Sequence, residues 1–256
     1  MCTVVLLRRP GARRPLILGG NRDERMDRPT RPPGRWWPDR PWAFGGYDET
    51  AGGTWLALRE DGFVATVLNR EGSLGPAPGK RSRGELPLMA LDHGSAAAAA
   101  DSMSMLNADA YRPFNLILAD ADSAWWLRAS GGAIRLEPIA EGVSMIAAGD
   151  LNDPESERLR THLPIFRAAA APDPDAGDWR AWETALDGGG LDEAGRGALR
   201  LRGPSAFRTV SSHLVAAPAR GGEETALFRW RDAIGADRWI DCARSAEISA
   251  GAAAAG

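Results

Sequence analysis

Short runs of hydrophobic positions near the N-terminus predict a β-hairpin. Residues 2–7 are apolar and rich in β-branched side chains, which is typical of a buried strand. A turn at Pro10-Gly11 separates them from a second apolar run, residues 16–18. If the hairpin folds about a centre between Gly11 and Ala12, residue 2 faces residue 21. A register error of two residues would instead bring Asp23 or Gly19 opposite residue 2.

The hydrophobic pattern predicts further strands in the middle and at the end of the chain. Residues 55–58 and 63–68 flank Asp61-Gly62, and two strands around Asp-Gly are a good hairpin signal. Four short strands separated by turns, between residues 114 and 148, indicate a meander. The last strands are predicted at residues 207–216, 226–230 and 239–242.

Helices are predicted in two blocks between these strands, over residues 85–91, 95–106, 154–170, 179–186 and 192–201. Ser95 is the expected cap of the second helix and Asp153 that of the third, unless Pro164 ends the third early. Residues 25–41 are rich in proline and arginine, which favours a long loop, often a lid. The separation of strands from helices favours an α+β or layered sandwich fold over alternating βαβ units.

The composition is that of a globular protein without a nucleic-acid footprint. Forty-four per cent of the 256 residues are hydrophobic and the net charge is only −3. We expect one domain over residues 1–248 and a disordered Ala/Gly tail over 249–256. Because Arg8 and Arg9 interrupt the first apolar run, and no run approaches the ~18 apolar residues of a membrane span, a cytoplasmic protein is expected. The oligomeric state stays open.

Cys2 is the first candidate for chemistry because it directly follows the initiator methionine. Removal of Met1 would leave a nucleophilic thiol and a basic α-amine on one residue, with unperturbed pKa values near ~8.5 and ~8. The alternative is a buried, unreactive side chain, or a thiol kept for ligand contact. Cys2, Cys242 and three scattered histidines form no disulfide framework or metal-ligand set, so no metal is expected.

The tetrad Asn21-Arg22-Asp23-Glu24 would lie beside Cys2 in the predicted hairpin. Asp23 is suited to orient the α-amine, and Arg22 to lower the thiol pKa or to bind a substrate carboxylate. Asn21 could donate to a carbonyl oxygen, whereas Glu24 is expected to pair with a nearby arginine. The alternative is a turn or cap cluster, since Asn and Asp favour such positions.

Two further motifs are candidates for substrate contact. Asn69 ends a predicted strand, where it could donate to a developing oxyanion or simply terminate the strand at a turn. The glycines before Thr54 and Trp55 would permit close approach of a ligand, or form a turn beside a core tryptophan. Asn152 is a weaker oxyanion candidate, because helix capping accounts for it. Ser212 and His213 are no triad, since neighbouring strand residues point to opposite faces.

An ordered set of motifs through most of the chain resembles the NRDE family, of the transport and Golgi organisation 2 type. The motifs are Met1-Cys2, Asn21-Arg22-Asp23-Glu24, Gly52-Gly53-Thr54-Trp55, Val67-Leu68-Asn69, Ser82-Arg83-Gly84-Glu85-Leu86, Phe114-Asn115-Leu116 and Thr209-Val210-Ser211-Ser212. The family is in turn similar to N-terminal-nucleophile hydrolases such as penicillin V acylase and choloylglycine hydrolase. That similarity implies a four-layer αββα sandwich and a cysteine nucleophile.

The resemblance implies two functions. One is hydrolysis of an amide or thioester, with Cys2, Asn21, Arg22, Asp23 and Asn69 in catalysis and no cofactor required; the expected substrate-binding residues are Glu24, Gly53, Thr54, Trp55 and Arg83. The other is a non-catalytic carrier of a hydrophobic, carboxylate-bearing ligand such as haem or acyl-CoA. A plain interaction module would need neither a reactive Cys2 nor a ligand. One departure is clear: the acylases have an arginine three residues before the aspartate, where this chain has Gly20.

Overall fold

The computed structural model describes residues 2–190 and 197–242, and in these residues the fold is mixed α+β with mostly sheet. The α-helices within these ranges are α1 (Leu86–Leu91), α2 (Ala96–Ser104), α3 (Glu157–Ala168) and α4 (Arg180–Leu186). The strands are β1 (Thr3–Arg8), β2 (Leu16–Arg25), β3 (Thr30–Gly34), β4 (Phe44–Asp48), β5 (Leu56–Leu58), β6 (Val64–Asn69), β7 (Phe114–Ala119), β8 (Ala124–Ala129), β9 (Arg135–Pro138), β10 (Gly142–Ile146), β11 (Phe207–Ala217), β12 (Leu227–Asp232) and β13 (Trp239–Cys242).

These strands form two antiparallel sheets. The six-stranded sheet has the order β10-β1-β2-β11-β12-β13, and the seven-stranded sheet runs from β3 to β9 in chain order. One apolar cluster lies between the sheets and includes Leu18 and Ile117. A second packs α1 and α2 on the seven-stranded sheet, and a third packs α3 and α4 on the six-stranded sheet. No helix in the described ranges is long and apolar enough to cross a membrane.

The N-terminal hairpin is present, but its register differs by one residue from the prediction. Thr3, not Cys2, lies opposite Asn21, so continuing the ladder places Cys2 opposite Arg22. The cause is the turn: the Arg9 amide donates to the Pro15 carbonyl at 2.9 Å, which centres the loop on Ala12. Because directly opposite residues share a face, this shift decides which tetrad side chains lie on the face of the thiol.

The strand predictions were confirmed except for one connection. The hairpin of β5 and β6 forms around Gly62, whose φ of 89° suits glycine. The predicted meander holds for β7, β8 and β9, but β10 leaves it and pairs with β1 in the other sheet. The chain turns at Gly142, where φ is 87°, and β10 thereby covers the open edge of β1.

The helix predictions need three corrections. The helix α3 begins after Ser156, whose hydroxyl accepts from the Leu159 amide; Asp153 instead accepts from the Glu155 amide in a local turn. Pro164 lies inside α3 and does not end it. The helix predicted over 192–201 falls partly outside the described residues, and its end, 198–201, is not helical. The predicted tail, 249–256, also lies outside them, and the loop of residues 25–41 contains the edge strand β3.

His213 on β11 is a buried histidine without hydrogen-bond partners in the described residues at either ring nitrogen. Burial lowers the pKa of His213 to about 4. His213 therefore gains a proton near pH 6.5 in the unfolded chain but only near pH 4 in the folded chain. Stability must fall as the pH drops through that window.

We predict that this single group costs the wild-type protein about 2 kcal/mol of unfolding free energy between pH 7 and pH 5. The substitution His213→Gln removes the titration, so the variant should lose correspondingly less on acidification. Urea unfolding at both pH values measures the difference. Ser102→Ala, at an exposed position of α2 that carries no titratable group, is the control and should leave the acid sensitivity unchanged. Equal acid sensitivity in His213→Gln and wild type would refute the prediction.

Candidate active site

A cavity of about 570 Å³ lies where the N-terminal hairpin meets the end of the seven-stranded sheet. Three segments form most of its lining: the start of the chain with residues 22–28, the turn and strand entrance at residues 48–55, and residues 67–84. Arg112 and Phe207 complete it. Of the predicted site residues, the cavity brings together Cys2, Arg22, Glu24, Thr54, Trp55, Asn69 and Arg83.

Cys2 is half-buried at this cavity, and its thiol donates to the Asp23 carbonyl oxygen at 3.5 Å. Burial raises the pKa of the Cys2 thiol, and the negative charge of Asp23 raises it further. Arg22 acts in the opposite direction but more weakly. Arg22 therefore lowers the thiol pKa as predicted, but burial and Asp23 outweigh it, so the net shift of the Cys2 pKa is upward.

Arg22 forms the charged floor of the cavity. Its side chain is only 5% exposed, and its guanidinium lies 4.0 Å from the centroid of the Trp55 ring, a cation–π contact. Glu24 is 3.7 Å from Arg22 and 3.8 Å from Arg28, and Arg28 pairs with Asp48 at 2.7 Å. As expected, Glu24 pairs with a nearby arginine, and the tetrad is strand β2 rather than a turn or cap cluster.

Asp23 lies on the other face of β2, where its carboxylate is fully buried. One oxygen accepts from the Thr209 hydroxyl at 2.6 Å, and the other from the Arg158 guanidinium at 3.2 Å. The same Arg158 nitrogen donates to the Thr3 hydroxyl at 2.9 Å. Arg158 was not predicted, because nothing near it in the chain indicates a contact 135 positions away. Thr209 does occur in one of the ordered motifs.

Asn21 does not lie at the cavity. Its side-chain amide donates to the carbonyl oxygens of Leu186 and Leu199, at 2.9 and 3.0 Å, and its oxygen accepts from Ser212. These contacts lie on the helix-facing side of the sheet, opposite the side that Arg22 occupies. The predicted donation from Asn21 to a substrate carbonyl is therefore corrected, because both amide hydrogens serve the protein's own backbone.

The backbone at the entrance to β5, residues 53 and 54, lies in close contact with the backbone of Gly84. The Thr54 amide donates to the Gly84 carbonyl at 2.8 Å, and a Cβ on Gly53 would come within 2.4 Å of that oxygen. The Thr54 hydroxyl bonds the Leu56 carbonyl at 2.7 Å, so it has no hydrogen left for a ligand. Trp55 supplies the apolar surface beneath Arg22.

Asn69 lines the cavity at the end of β6, and its side chain has no hydrogen-bond partner within the described residues. The next residue fixes this strand end: Arg70 donates to Asn115 and pairs with Asp150, both at 2.7 Å.

Asn152 neither lines the cavity nor caps α3. It accepts from the Met145 amide and donates to Ser144, which explains it without catalysis.

Arg83 and Arg112 hold the polar loop at the cavity rim through its carbonyl oxygens. Arg83 donates to Ser73 at 2.8 Å and to Pro113 at 2.9 Å, and Arg112 donates to Gly72 at 2.9 Å. Burial and the charge of Arg112 lower the pKa of Arg83 to about 10, so Arg83 remains a cation at neutral pH. Within residues 2–190 and 197–242, no group of three or more His, Cys, Asp or Glu could hold a metal ion.

Residues 1–163, more than half of the chain, match the family described as Transport and Golgi organisation 2. The chain belongs to this family. No sequence among curated proteins matches it. The family match confirms the resemblance carried by the ordered motifs.

Solved structures show what the fold of this family member is similar to. An N-acylethanolamine-hydrolyzing acid amidase ortholog from Caenorhabditis elegans matches with a TM-score of 0.56 and 12% identity, over 88% of this chain and 98% of that one. The C2A mutant of conjugated bile acid hydrolase from Clostridium perfringens matches with a TM-score of 0.53 and 10% identity, over 94% and 92%, and the R18L variant gives the same values. These structural matches show a fold similar to that of N-terminal-nucleophile hydrolases.

The position of Gly20 explains why this family member has no arginine there. Gly20 lies between Val4 and His213 in neighbouring strands, and a Cβ on it would come within 2.7 Å of both the Thr3 carbonyl oxygen and the His213 ring. No larger side chain fits without rearrangement. The guanidinium beside Asp23 comes instead from α3, through Arg158.

We predict that Arg158→Gln lowers the unfolding free energy by about 3–5 kcal/mol, because it leaves a buried carboxylate without its cation. Denaturant unfolding measures this loss. Arg160→Gln is the matched control, since Arg160 is exposed on the same helix, and it should change stability by no more than about 0.5 kcal/mol. Equal stability of Arg158→Gln and Arg160→Gln would contradict the assignment.

We predict that Gly53→Ala destabilises this family member by about 1–3 kcal/mol, because the added methyl group collides with the Gly84 carbonyl and separates two backbone segments. Gly94→Ala is the control: Gly94 has no atom within 4 Å of an added Cβ. Thermal unfolding of both variants tests this. A loss in Gly94→Ala as large as that in Gly53→Ala would show that the close approach is unimportant.

Proposed function

We propose that this protein is an N-terminal-nucleophile hydrolase that acts on an amide or thioester. The observation behind the proposal is the position of Cys2, which places its thiol at the cavity with Arg22 opposite in the hairpin and Asp23 on the neighbouring strand. Removal of Met1 would add the one missing group, a free α-amine on Cys2.

The reaction follows from these groups. The α-amine takes the thiol proton, and the thiolate attacks the carbonyl carbon to form a tetrahedral oxyanion. The resulting ammonium returns the proton to the leaving amine or thiolate as the C–N or C–S bond breaks. Water, deprotonated by the same amine, then hydrolyses the acyl-thioester and releases the acid. The ammonium on Cys2 itself would also offset the upward shift in the thiol pKa.

Asp23 is proposed to hold the α-amine, and Arg158 and Thr209 to hold Asp23. Both carboxylate oxygens have fixed donors, at 3.2 and 2.6 Å, so the carboxylate has a single orientation beside the start of β1. Asn69 is the proposed oxyanion donor, because it lines the same cavity and its amide has no partner in the described residues. Such a donor contributes about 3 kcal/mol to a transition state.

The proposed fold in full is the four-layer αββα sandwich, as a single domain over residues 1–248. Three apolar clusters support it: one between the sheets and one between each sheet and its pair of helices. In that arrangement the chain start lies at the open end of the two sheets, where a substrate can reach it.

The second candidate is a non-catalytic carrier of a hydrophobic, carboxylate-bearing ligand such as haem or acyl-CoA. The stacked pair of Arg22 and Trp55 favours it, because it offers a cation and an apolar surface side by side. A carrier needs neither removal of Met1 nor the thiol, whereas the hydrolase needs both.

The test is turnover of a panel of amides and thioesters by wild type, Cys2→Ala and Cys242→Ala. We expect Cys2→Ala to lose at least about 10³-fold in turnover, as loss of a nucleophile does elsewhere. Cys242→Ala, at the other free cysteine, should retain full turnover. Undiminished turnover in Cys2→Ala would exclude the hydrolase mechanism; ligand binding that survives in Cys2→Ala without any turnover in wild type would favour the carrier.

A further inference from the structure

The cavity at Cys2 has a large excess of positive charge. Among the described residues, seven cationic side chains line it, against the two carboxylates of Glu24 and Asp48. Some of these cations are neutralised within the protein: Arg28 pairs with Asp48, and Arg81 with Glu85. Charge that the protein leaves unbalanced in a concave site attracts ligands of the opposite sign.

Three cations at the rim, Lys80, Arg83 and Arg112, have no carboxylate partner in the described part of the chain. Each donates only to uncharged oxygens, such as the carbonyls of Asp109, Pro113 and Leu74. A backbone carbonyl accepts a hydrogen bond but does not cancel a unit charge. The rim therefore keeps about three positive charges in contact with the cavity.

Two of these cations converge on one point. The guanidinium groups of Arg83 and Arg112 each lie 3.4 Å from the carbonyl oxygen of Gly75. Two like charges brought to one acceptor repel each other, and an added anion would relieve that repulsion while the loop carbonyls keep both side chains in place. This geometry is typical of an anion-binding site whose cations are already in position, rather than of arginines that only hold a loop in place.

We propose that Arg83 and Arg112, assisted by Lys80, bind an oxyanion group of the substrate, a carboxylate or a phosphate, while Cys2 acts on its acyl carbon. This proposal builds on the proposed function, since it defines the substrate class as an anionic acyl compound. Recognition of a negative charge and reactivity of Cys2 are nevertheless separate properties. Two thiol reagents that differ in charge measure them separately.

The experiment compares alkylation of Cys2 by iodoacetate and by iodoacetamide, which differ chiefly in charge. In both reactions the thiolate sulfur attacks the methylene carbon and iodide leaves. Peptide mass analysis assigns the modified cysteine, and glutathione supplies the ratio of the two rates for a free thiol. We expect the iodoacetate-to-iodoacetamide ratio at Cys2 to exceed that of glutathione by about tenfold at low salt, and to approach it near 0.5 M NaCl.

Variants assign the effect to the rim. Arg83→Gln and Arg112→Gln should each lower the ratio several-fold, whereas Arg112→Lys keeps the charge and should keep most of the preference. Arg135→Gln, at an exposed arginine on β9 outside the cavity, is the control and should leave the ratio unchanged. The salt dependence of wild type needs no variant, so the proposal remains testable if a substitution at Arg83 prevents folding.

Calorimetric titration with inorganic phosphate and with butyrate separates the two sources of the oxyanion and does not involve the thiol. Binding of either one that weakens at least about tenfold in Arg112→Gln supports the site and identifies its preferred anion. The proposal is overturned if neither anion binds and, where Cys2 reacts, its ratio equals that of glutathione. A Cys2 that resists both reagents would instead count against the proposed function, leaving the titration to decide the anion site.

Discussion

The buried carboxylate of Asp23 is the constraint on which the rest of the site depends. A buried charge is stable only if it is paired and hydrogen-bonded, and Asp23 obtains its partners from distant parts of the chain. Arg158 comes from α3 and Thr209 from β11, while Thr3 of β1 shares the Arg158 guanidinium. The carboxylate therefore joins two strands and a helix of one side of the molecule to the strand that bears the tetrad.

Strand β2 divides the tetrad between two environments. Arg22 and Glu24 face the cavity with Cys2, whereas Asn21 and Asp23 face the helices and bond to buried groups there. Alternation along a strand requires this separation. The cavity side offers cations and the apolar surface of Trp55 to a ligand, and the helix side fixes the strand in register. The four residues thus serve one site through two different faces.

Much of this was predictable from local patterns. The β-branched run at the chain start, Asp61-Gly62 and the Ser95 cap each determine structure within a few residues, and each prediction was confirmed. The ordered motifs also indicated the family correctly. The hairpin register was wrong by one residue, because the centre of a seven-residue loop is set by its own hydrogen bonds and not by its composition.

The remaining errors concern contacts between distant residues. Nothing in residues 142–146 distinguishes a fourth meander strand from a strand that crosses to β1, since both are short and apolar. In the sequence Arg158 is one arginine among thirty. Its role arises because α3 packs on the six-stranded sheet, where the Arg158 guanidinium reaches Thr3 of β1 and Asp23 of β2. Asn21 was misplaced for the same reason: its partners Leu186 and Leu199 are far away in sequence.

The most direct measurement is the intact mass of the untagged protein, taken before and after incubation with a reactive thioester substrate. We expect a starting mass that lacks one methionine, and then a transient acyl adduct that maps to Cys2 by peptide mass analysis. Complete retention of Met1, or an adduct that never forms on Cys2 while substrate is consumed, would contradict the central claim that Cys2 is an N-terminal nucleophile.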